Sequence, residues 1–154
     1  MDGLYYHSYG ILCNKEMAEE IVSDVFFETW KNRKKLAEIE NIKAWLNTLT
    51  YRKSISYLRK EKKRSNDVSM DDLTQFSFPV TETPVDKLIS VEETQSLNEA
   101  IEGLPPKCKH VFFLAKIEGL PYMQIADMLR ISLPTVNYHV GFAMAALKNK
   151  LKHG

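Results

Sequence analysis

The sequence predicts an all-α protein made of two small helical domains joined by a flexible acidic linker. Apolar residues recur every three or four positions through most of the 154 residues, and no segment sustains the alternation of a strand. The stretch "SNDVSMDDLTQFSFPVTETP" (65–84) lacks that period and is rich in Ser, Thr, Asp and Pro. This composition is typical of a linker.

Charge divides the chain at the same place. Residues 1–65 carry 13 Lys/Arg against 9 Asp/Glu, residues 66–102 carry 1 against 9, and residues 103–154 carry 7 against 2. Two basic blocks on either side of an acidic tether favour two anion-binding units, although each block alone is equally well explained as a solvated face. We expect a first domain at 1–65, a linker at 66–86 and a second domain at 87–154.

Seven helices are predicted, at about 3–12, 15–32, 41–63, 87–102, 106–117, 121–129 and 133–151. No apolar run approaches the roughly 20 residues that span a bilayer, so membrane insertion is not expected. The N-terminus lacks the basic start and apolar centre of a signal peptide. With only two cysteines, a reduced intracellular setting is the simplest interpretation, and the cytoplasm is the expected location.

The second predicted helix, 15–32, carries an aromatic residue on its polar side. At 100° per residue one face holds a stripe that is expected to be buried: Ala18, Ile21, Val22, Val25, Phe26, Thr29 and Trp30. Phe27 lies opposite, grouped with Glu20, Ser23 and Asp24. Such an aromatic is either incidentally exposed or part of a docking surface, and the residues alone leave both explanations open.

The third predicted helix combines an inward stripe with a cationic surface. Asn41 is a suitable N-cap. The stripe comprises Ile42, Trp45, Leu46, Leu49, Ile55 and Leu58. The C-terminal half holds seven cations and two tyrosines: Tyr51, Arg52, Lys53, Tyr57, Arg59, Lys60, Lys62, Lys63 and Arg64. Cations near a helix C-terminus also suit the helix dipole, but this mixture favours a nucleic-acid surface, where cations bind phosphates and rings stack on bases.

The second domain ends in the pattern of a helix–turn–helix. Gly103 ends one helix, "RIS" (130–132) forms a corner, and Ser132 is a natural N-cap for the last helix. The stripe of that helix that should face the core is Val136, Val140, Ala143, Met144 and Leu147. The residues that should face outward are Pro134, Asn137, Tyr138, Gly141, Phe142, Ala145 and Lys148.

Catalysis has little support. The sequence holds no glycine-rich phosphate loop, no nucleophile elbow and no HExxH motif, and its four histidines are scattered. Cys108 and His110 alone are too few for zinc. We expect no enzymatic activity, no cofactor and no metal.

Four blocks resemble a known family. They are "AEEIVSDVFFETW" (18–30), "NIKAWLNTL" with "SISYLRK" (41–60), "LPPKCKHVFFLAKIEGLPYMQIADML" (104–129) and "ISLPTVNYHV" (131–140). In this order, across an acidic linker, they resemble bacterial RNA polymerase sigma factors of the sigma-70 family, of the extracytoplasmic-function type. The resemblance implies a transcription initiation factor whose partners are core RNA polymerase and promoter DNA. The family usually has an anti-sigma factor, although nothing in the sequence identifies one.

The resemblance gives each surface a role. The first domain resembles region 2, so the residues expected to dock on the largest polymerase subunit are Glu20, Ser23, Asp24 and Phe27. The loop at about 34–41 and the following helix would capture the minus-ten element, through Tyr51, Arg52, Lys53, Tyr57, Arg59, Lys60, Lys63 and Arg64. The second domain resembles region 4, whose recognition helix enters the major groove of the minus-thirty-five element. Its expected contacts are Pro134, Thr135, Asn137, Tyr138, His139, Phe142 and Lys148.

The first domain departs from the family pattern in three respects. The resemblance begins at about Leu4, without the family's usual first helical segment, so the chain is expected to be truncated or to begin late. Ser23 stands where the family usually has glutamine. Tyr51, Arg52 and Ser56 replace the family's common Arg, Asn and Asp, so a minus-ten sequence preference does not carry over.

The recognition helix departs further, since Phe142 stands where an arginine is usual. We expect fewer phosphate contacts there and an unusual preference set by Asn137, Tyr138 and Phe142, with apolar contact to thymine methyls. Two alternatives to an initiation factor stay open. One is a two-domain helix–turn–helix regulator without polymerase docking, which would have no need of Phe27. The other is an adaptor that binds only through protein surfaces, which the arginine-poor helix favours.

Overall fold

The computed structural model describes residues 2–64, 75–77 and 91–153, and the regular elements in these ranges are helical, as predicted. The helices are α1 (Asp2–Leu12), α2 (Lys15–Lys31), α3 (Ile42–Arg64), α4 (Val91–Glu102), α5 (Pro106–Phe112), α6 (Tyr122–Leu129) and α7 (Leu133–His153). A 3₁₀ turn, Leu36–Glu38, precedes α3, and a π-helical turn, Phe113–Ile117, extends α5. The start predicted for α4, at 87–90, lies outside the described residues.

The chain divides into two compact units, a first module (Met1–Phe76) and a second module (Ser77–Gly154). Within the described ranges, none of the helices has both the length and the apolar character needed to cross a bilayer. Of the stretch predicted as a linker, only 75–77 are described, and there Phe76 is buried. The predicted boundaries at 65–66 and 86–87 stay predictions.

Polar side chains set where several helices begin. The Asn14 side chain accepts the backbone N–H of Met17 at 3.1 Å and caps α2. Asn41 Oδ1 accepts the N–H of Ala44 at 3.0 Å, as its predicted N-cap role requires. Ser132 Oγ accepts the N–H of Thr135 at 3.2 Å, which confirms the predicted start of α7.

The first module packs α1, α2 and α3 around an interior that is partly polar. Its buried apolar residues include Leu4, Ile11, Ala18, Ile21, Val25 and Ile55. Between α1 and α3 runs a set of fully buried polar residues, which we call the polar seam: His7, Ser8, Asn47, Thr50 and Ser54. Apolar periodicity did not predict this seam.

Two residues assigned to buried stripes in the first module are exposed, so those assignments were wrong. Trp30 is 64% exposed in the last turn of α2, where the Arg33 guanidinium lies 4.2 Å from its ring centroid. A cation rather than the core therefore covers this ring. Ile42, the first residue of α3, is exposed as well.

The second module has a largely apolar core. Its most buried residues include Phe113, Leu114, Ile125, Val136 and Ala143. Between α6 and α7, Arg130 adopts a left-handed conformation (φ 56°), and the N–H of Ile131 bonds the Ala126 carbonyl at 3.0 Å. This three-residue corner (130–132) presents α7 as predicted. The prediction that Met144 faces the core was wrong, because its side chain is exposed.

Candidate docking and nucleic-acid interfaces

The outer face of α2 presents the four residues predicted to dock on a partner. Glu20, Ser23, Asp24 and Phe27 are all exposed, and we call them the docking surface. Phe27 is 62% exposed, and Lys31 Nζ lies 5.0 Å from its ring centroid. The opposite face of α2 buries Ala18, Ile21 and Val25, so Phe27 does not contribute to the core of the first module. This arrangement fits an aromatic anchor for another protein.

The structure adds Trp30 to this aromatic surface. Residues three apart are neighbours on a helix surface, and Trp30, exposed as fully as Phe27, extends the apolar patch toward the end of α2. Sequence reasoning missed it because it lies 80° from the centre of the stripe, at its edge. Its three-residue spacing from Phe27 was the available signal.

A groove of about 590 Å³ runs between α2 and α3. Its lining includes residues of the predicted docking set and residues of the predicted minus-ten set. On the α2 side it is lined by Glu20, Asp24 and Glu28, and on the α3 side by Arg52, Lys53, Ser56, Tyr57 and Lys60. Lys53 Nζ lies 3.7 Å from a carboxylate oxygen of Glu28 across it. Part of the docking surface therefore borders part of the predicted minus-ten surface.

The predicted minus-ten residues do not all share this groove. Tyr51 is partly buried on the side of α3 that faces α1, with its ring centroid 6.3 Å from that of His7. Arg59 is exposed, as are Arg52 and Lys60. Lys63 and Arg64 are helical, but their side chains lie outside what is described.

The polar seam holds Tyr51's neighbour His7 in a fixed state. His7 Nδ1 and Asn47 Oδ1 are 2.8 Å apart, and since an amide oxygen only accepts, the Nδ1–H donates. Asn47 Nδ2 in turn donates to the Lys43 carbonyl at 3.0 Å. Burial lowers the pKa of His7 to about 4, although the bond to Asn47 acts to raise it. His7 is therefore neutral near pH 7 and serves as a hydrogen-bonding group.

The outward face of α7 is apolar and aromatic. Of the predicted contacts, Pro134, Asn137, Tyr138, Phe142 and Lys148 are exposed, whereas Thr135 and His139 are partly buried. Tyr138 and Phe142 are 65% and 45% exposed, with ring centroids 6.3 Å apart. A Cβ on Gly141 would meet nothing within 4 Å, so the surface beside the two rings is open.

Thr135 and His139 have local roles in the second module. The Thr135 hydroxyl lies 2.7 Å from that of Ser132, within the N-cap of α7. Burial, and the charge of Lys107 after it, lower the pKa of His139, so its ring is mainly neutral at pH 7. The His139 carbonyl accepts from Cys108 Sγ at 3.2 Å, and burial raises the pKa of that thiol. This face therefore presents apolar and neutral polar groups, with a cation at Lys148.

Comparison with known proteins follows the same division. The family model described as "Sigma-70 region 2" matches residues 1–64, and the one described as "Sigma-70, region 4" matches residues 94–147. The ECF RNA polymerase sigma factor SigW of Bacillus subtilis (strain 168) is 26% identical, over 98% of this chain and 84% of that protein. The ECF RNA polymerase sigma factor SigK of Mycobacterium sp. (strain KMS) is 25% identical, over 92% of this chain and 73% of that protein.

A solved structure has the same fold. The chain superimposes with a TM-score of 0.67 and 21% identity on a sigma factor, RpoE, crystallised with the anti-sigma factor NepR from Bartonella quintana. The match covers 98% of this chain and 91% of that one. With both sigma-70 regions matched in order, and with relatives of the extracytoplasmic-function type along nearly its whole length, the chain belongs to the sigma-70 family as an extracytoplasmic-function sigma factor.

Proposed function

We propose that this chain is a transcription initiation factor that binds core RNA polymerase and directs it to specific promoters through minus-ten and minus-thirty-five elements. Residues 1–65 act as the region 2 domain and residues 87–154 as the region 4 domain, with 66–86 as the linker. Polymerase supplies the chemistry, and the factor works in the cytoplasm, where polymerase meets promoters. An anti-sigma factor is a further expected partner, since a sigma factor of the same fold was crystallised with one.

The exposure of Phe27 is the observation that carries the proposal. An aromatic ring 62% exposed on a helix whose opposite face is buried offers a large apolar contact to another protein. A free-standing DNA-binding regulator has no need of such a surface. Its neighbours Glu20 and Asp24 favour a partner surface that is basic around an apolar pocket.

The two DNA surfaces are proposed to work differently. On α3, Arg52, Lys53 and Lys60 bind phosphates, while Tyr51 and Tyr57 stack on exposed bases. On α7, Asn137, Tyr138 and Phe142 contact base edges, with Lys148 on the backbone. Because polymerase tethers both heads to one promoter, a recognition helix of low intrinsic affinity still contributes to promoter choice.

Run-off transcription with core polymerase tests the function. Core enzyme with this chain is expected to give discrete transcripts from some members of a panel of upstream fragments, and core enzyme alone none. No transcript together with intact core binding would support the protein-only adaptor, which the apolar face of α7 also favours. No binding to core would support the regulator without docking.

Phe27→Ala tests the docking surface. We expect it to weaken core binding by about tenfold or more, because an aromatic anchor that becomes buried in an interface contributes about 2 kcal/mol or more. Tyr138→Ala is the matched control, since Tyr138 is equally exposed but lies on α7. Both variants should unfold at the wild-type urea concentration. An unchanged core affinity for Phe27→Ala would exclude this face.

A further inference from the structure

Phe76 is buried against the first module although it comes from the stretch between the two DNA-binding units. Its side chain is 1% exposed, which places it among the most buried large residues of the described ranges. A solvated linker would leave this ring in water. Burying a phenylalanine side chain is more favourable than leaving it exposed by about 2 kcal/mol. The chain therefore returns to the first module 12 residues after the end of α3 at Arg64.

Gly10 provides the place where the ring sits. A Cβ built on Gly10 would lie 2.7 Å from Cε2 and from Cζ of Phe76, a distance that real Cβ atoms do not tolerate. Gly10 is in the last turns of α1, where glycine costs about 1 kcal/mol of helix propensity relative to alanine. The absent side chain is what allows the ring to approach.

From this site the contact extends to the predicted minus-ten surface. The rings of Phe76 and His7 have centroids 6.3 Å apart, with planes at 61°. His7 also faces Tyr51, with centroids 6.3 Å apart and planes within 18°. Because His7 is fully buried and hydrogen-bonded to Asn47, its ring is restrained where it meets both aromatic neighbours.

We propose that Phe76 is a positioning residue for Tyr51, so that the segment between the two DNA-binding units sets the orientation of a base-stacking ring in the first module. The proposal rests on the function assigned above to Tyr51. Phe76 holds His7 against α3, and His7 holds one face of Tyr51. Loss of Phe76 leaves Tyr51 present but poorly oriented.

A double-mutant cycle on the full chain tests this proposal. The probe is a fluorescein-labelled single strand of about 20 thymidines, because stacking on aromatic rings tolerates any base. Tyr51→Ala is expected to weaken binding about five- to tenfold and Phe76→Ala about two- to fivefold. In the Tyr51→Ala background, Phe76→Ala should have no further effect, because a positioning residue acts only through the group that it positions.

Tyr57 gives the matched control cycle. It lies six residues further along α3 and lines the groove with α2, whose lining does not include Phe76. Phe76→Ala should therefore keep its full two- to fivefold effect in a Tyr57→Ala background. If Phe76→Ala acted by a general loosening of the first module, its effect on binding would be the same in the Tyr51→Ala and Tyr57→Ala backgrounds. That result would overturn the proposal. Equal binding by wild type and Tyr51→Ala would overturn it too, and would still leave the initiation function to be decided by run-off transcription.

Gly10→Ala displaces the ring without changing it. Alanine favours the α1 helix, so the variant should stay folded, yet its methyl group occupies the space of the Phe76 ring. We expect the same two- to fivefold loss of single-strand binding as for Phe76→Ala, and no added loss when the two changes are combined. Wild-type binding by both single variants would show that the anchor does not reach Tyr51.

Discussion

The two modules keep their helices together by different means. In the first, α1 and α3 meet along the polar seam, where His7 bonds Asn47 and the Ser8 and Ser54 hydroxyls lie 2.8 Å apart. In the second, the residues of lowest exposure are mostly apolar, such as Phe113, Leu114 and Ile125. Directional bonds fix the register of one helix on another, whereas apolar packing depends on volume.

The surfaces of the two modules also differ, one being charged and the other aromatic. The α3 face is charged, with Arg52, Arg59 and Lys60 exposed, while the α7 face is led by Tyr138 and Phe142. The module with the polar interior therefore carries the cationic surface, and the module with the apolar interior carries the aromatic one. Core truncation and removal of a single methyl group test the second module, acid tests the first, and salt compares the two surfaces.

The largest expected effect is truncation of the apolar core. Phe113→Ala should lower the free energy of unfolding of the second module by about 3–5 kcal/mol, because it removes a fully buried ring and leaves a cavity. Both tryptophans, Trp30 and Trp45, lie in the first module. Urea unfolding followed by circular dichroism should therefore show the loss, while the tryptophan fluorescence transition stays in place. Phe142→Ala, which truncates an exposed ring, is the control, and an equally small effect of both would contradict the packing argument.

The next effect concerns acid and the first module. In the unfolded chain His7 gains a proton below its ordinary pKa of 6.5, whereas in the folded chain it stays neutral down to about 4. The stability that His7 contributes is thus complete above pH 6.5 and is lost as the pH falls toward 4. Between pH 7 and pH 5 the first module should lose about 2 kcal/mol, measured by urea unfolding with tryptophan fluorescence.

His7→Asn is the control for this pH dependence. An asparagine can still donate to Asn47 but does not titrate, and His7 is the only histidine of the first module. The variant should be less stable at pH 7 because the ring is lost, yet its stability should change little between pH 7 and pH 5. The same slope in both proteins would place the titrating group elsewhere.

Periodicity predicted the helices well but not what fills the space between them. Helix ends with a named cap, such as Asn41 and Ser132, were correct because the cap is a local hydrogen bond. The burial predicted for Trp30 and Met144 was wrong for one reason: on the helical wheel each lies 80° from the centre of its stripe. At that angle burial depends on whether a neighbouring helix covers the edge.

The seam and the anchor needed tertiary information. Asn47 and Ser54 are polar residues on an amphipathic helix, and only the opposing His7 and Ser8 turn them into interior residues. Phe76 showed no helical period, so nothing local marked it as buried. The docking surface and the outward face of α7 followed from the helical wheel alone, and the structure gives their exposure, whereas their roles stay predictions.

The two predicted DNA surfaces should also differ in how strongly their binding depends on salt, which is a smaller effect than the two above. Lys60→Gln should lower the salt dependence of single-strand binding by about 0.7 in the log–log slope, since one phosphate contact is lost. Phe142→Arg should raise the slope for duplex binding by about 0.9, since one contact is gained. Lys116→Gln removes a charge outside both predicted surfaces and should leave the single-strand slope unchanged. Unaltered slopes in Lys60→Gln and Phe142→Arg would mean that neither side chain lies near a phosphate.

The smallest expected effect concerns single methyl groups at the aromatic face. A thymine methyl packed on Phe142 or Tyr138 would contribute up to about 0.8 kcal/mol, the value of one buried CH₂. Replacing thymine by uracil in the minus-thirty-five element of a responsive promoter should therefore weaken duplex binding about two- to fourfold, measured by competition between otherwise identical duplexes. The same replacement in the spacer is the control, because neither surface is expected to touch it.

Phe142→Arg decides what such a result means. An arginine at 142 replaces apolar contact by a charge that binds phosphate or guanine, so the variant should bind thymine and uracil duplexes equally while gaining overall affinity. If the variant kept the discrimination, the methyl group would be read by another residue, with Tyr138 as the next to test. If the wild type showed none, the aromatic pair would be a surface for protein, and the contrast between a cationic and an aromatic DNA surface would apply to α3 alone.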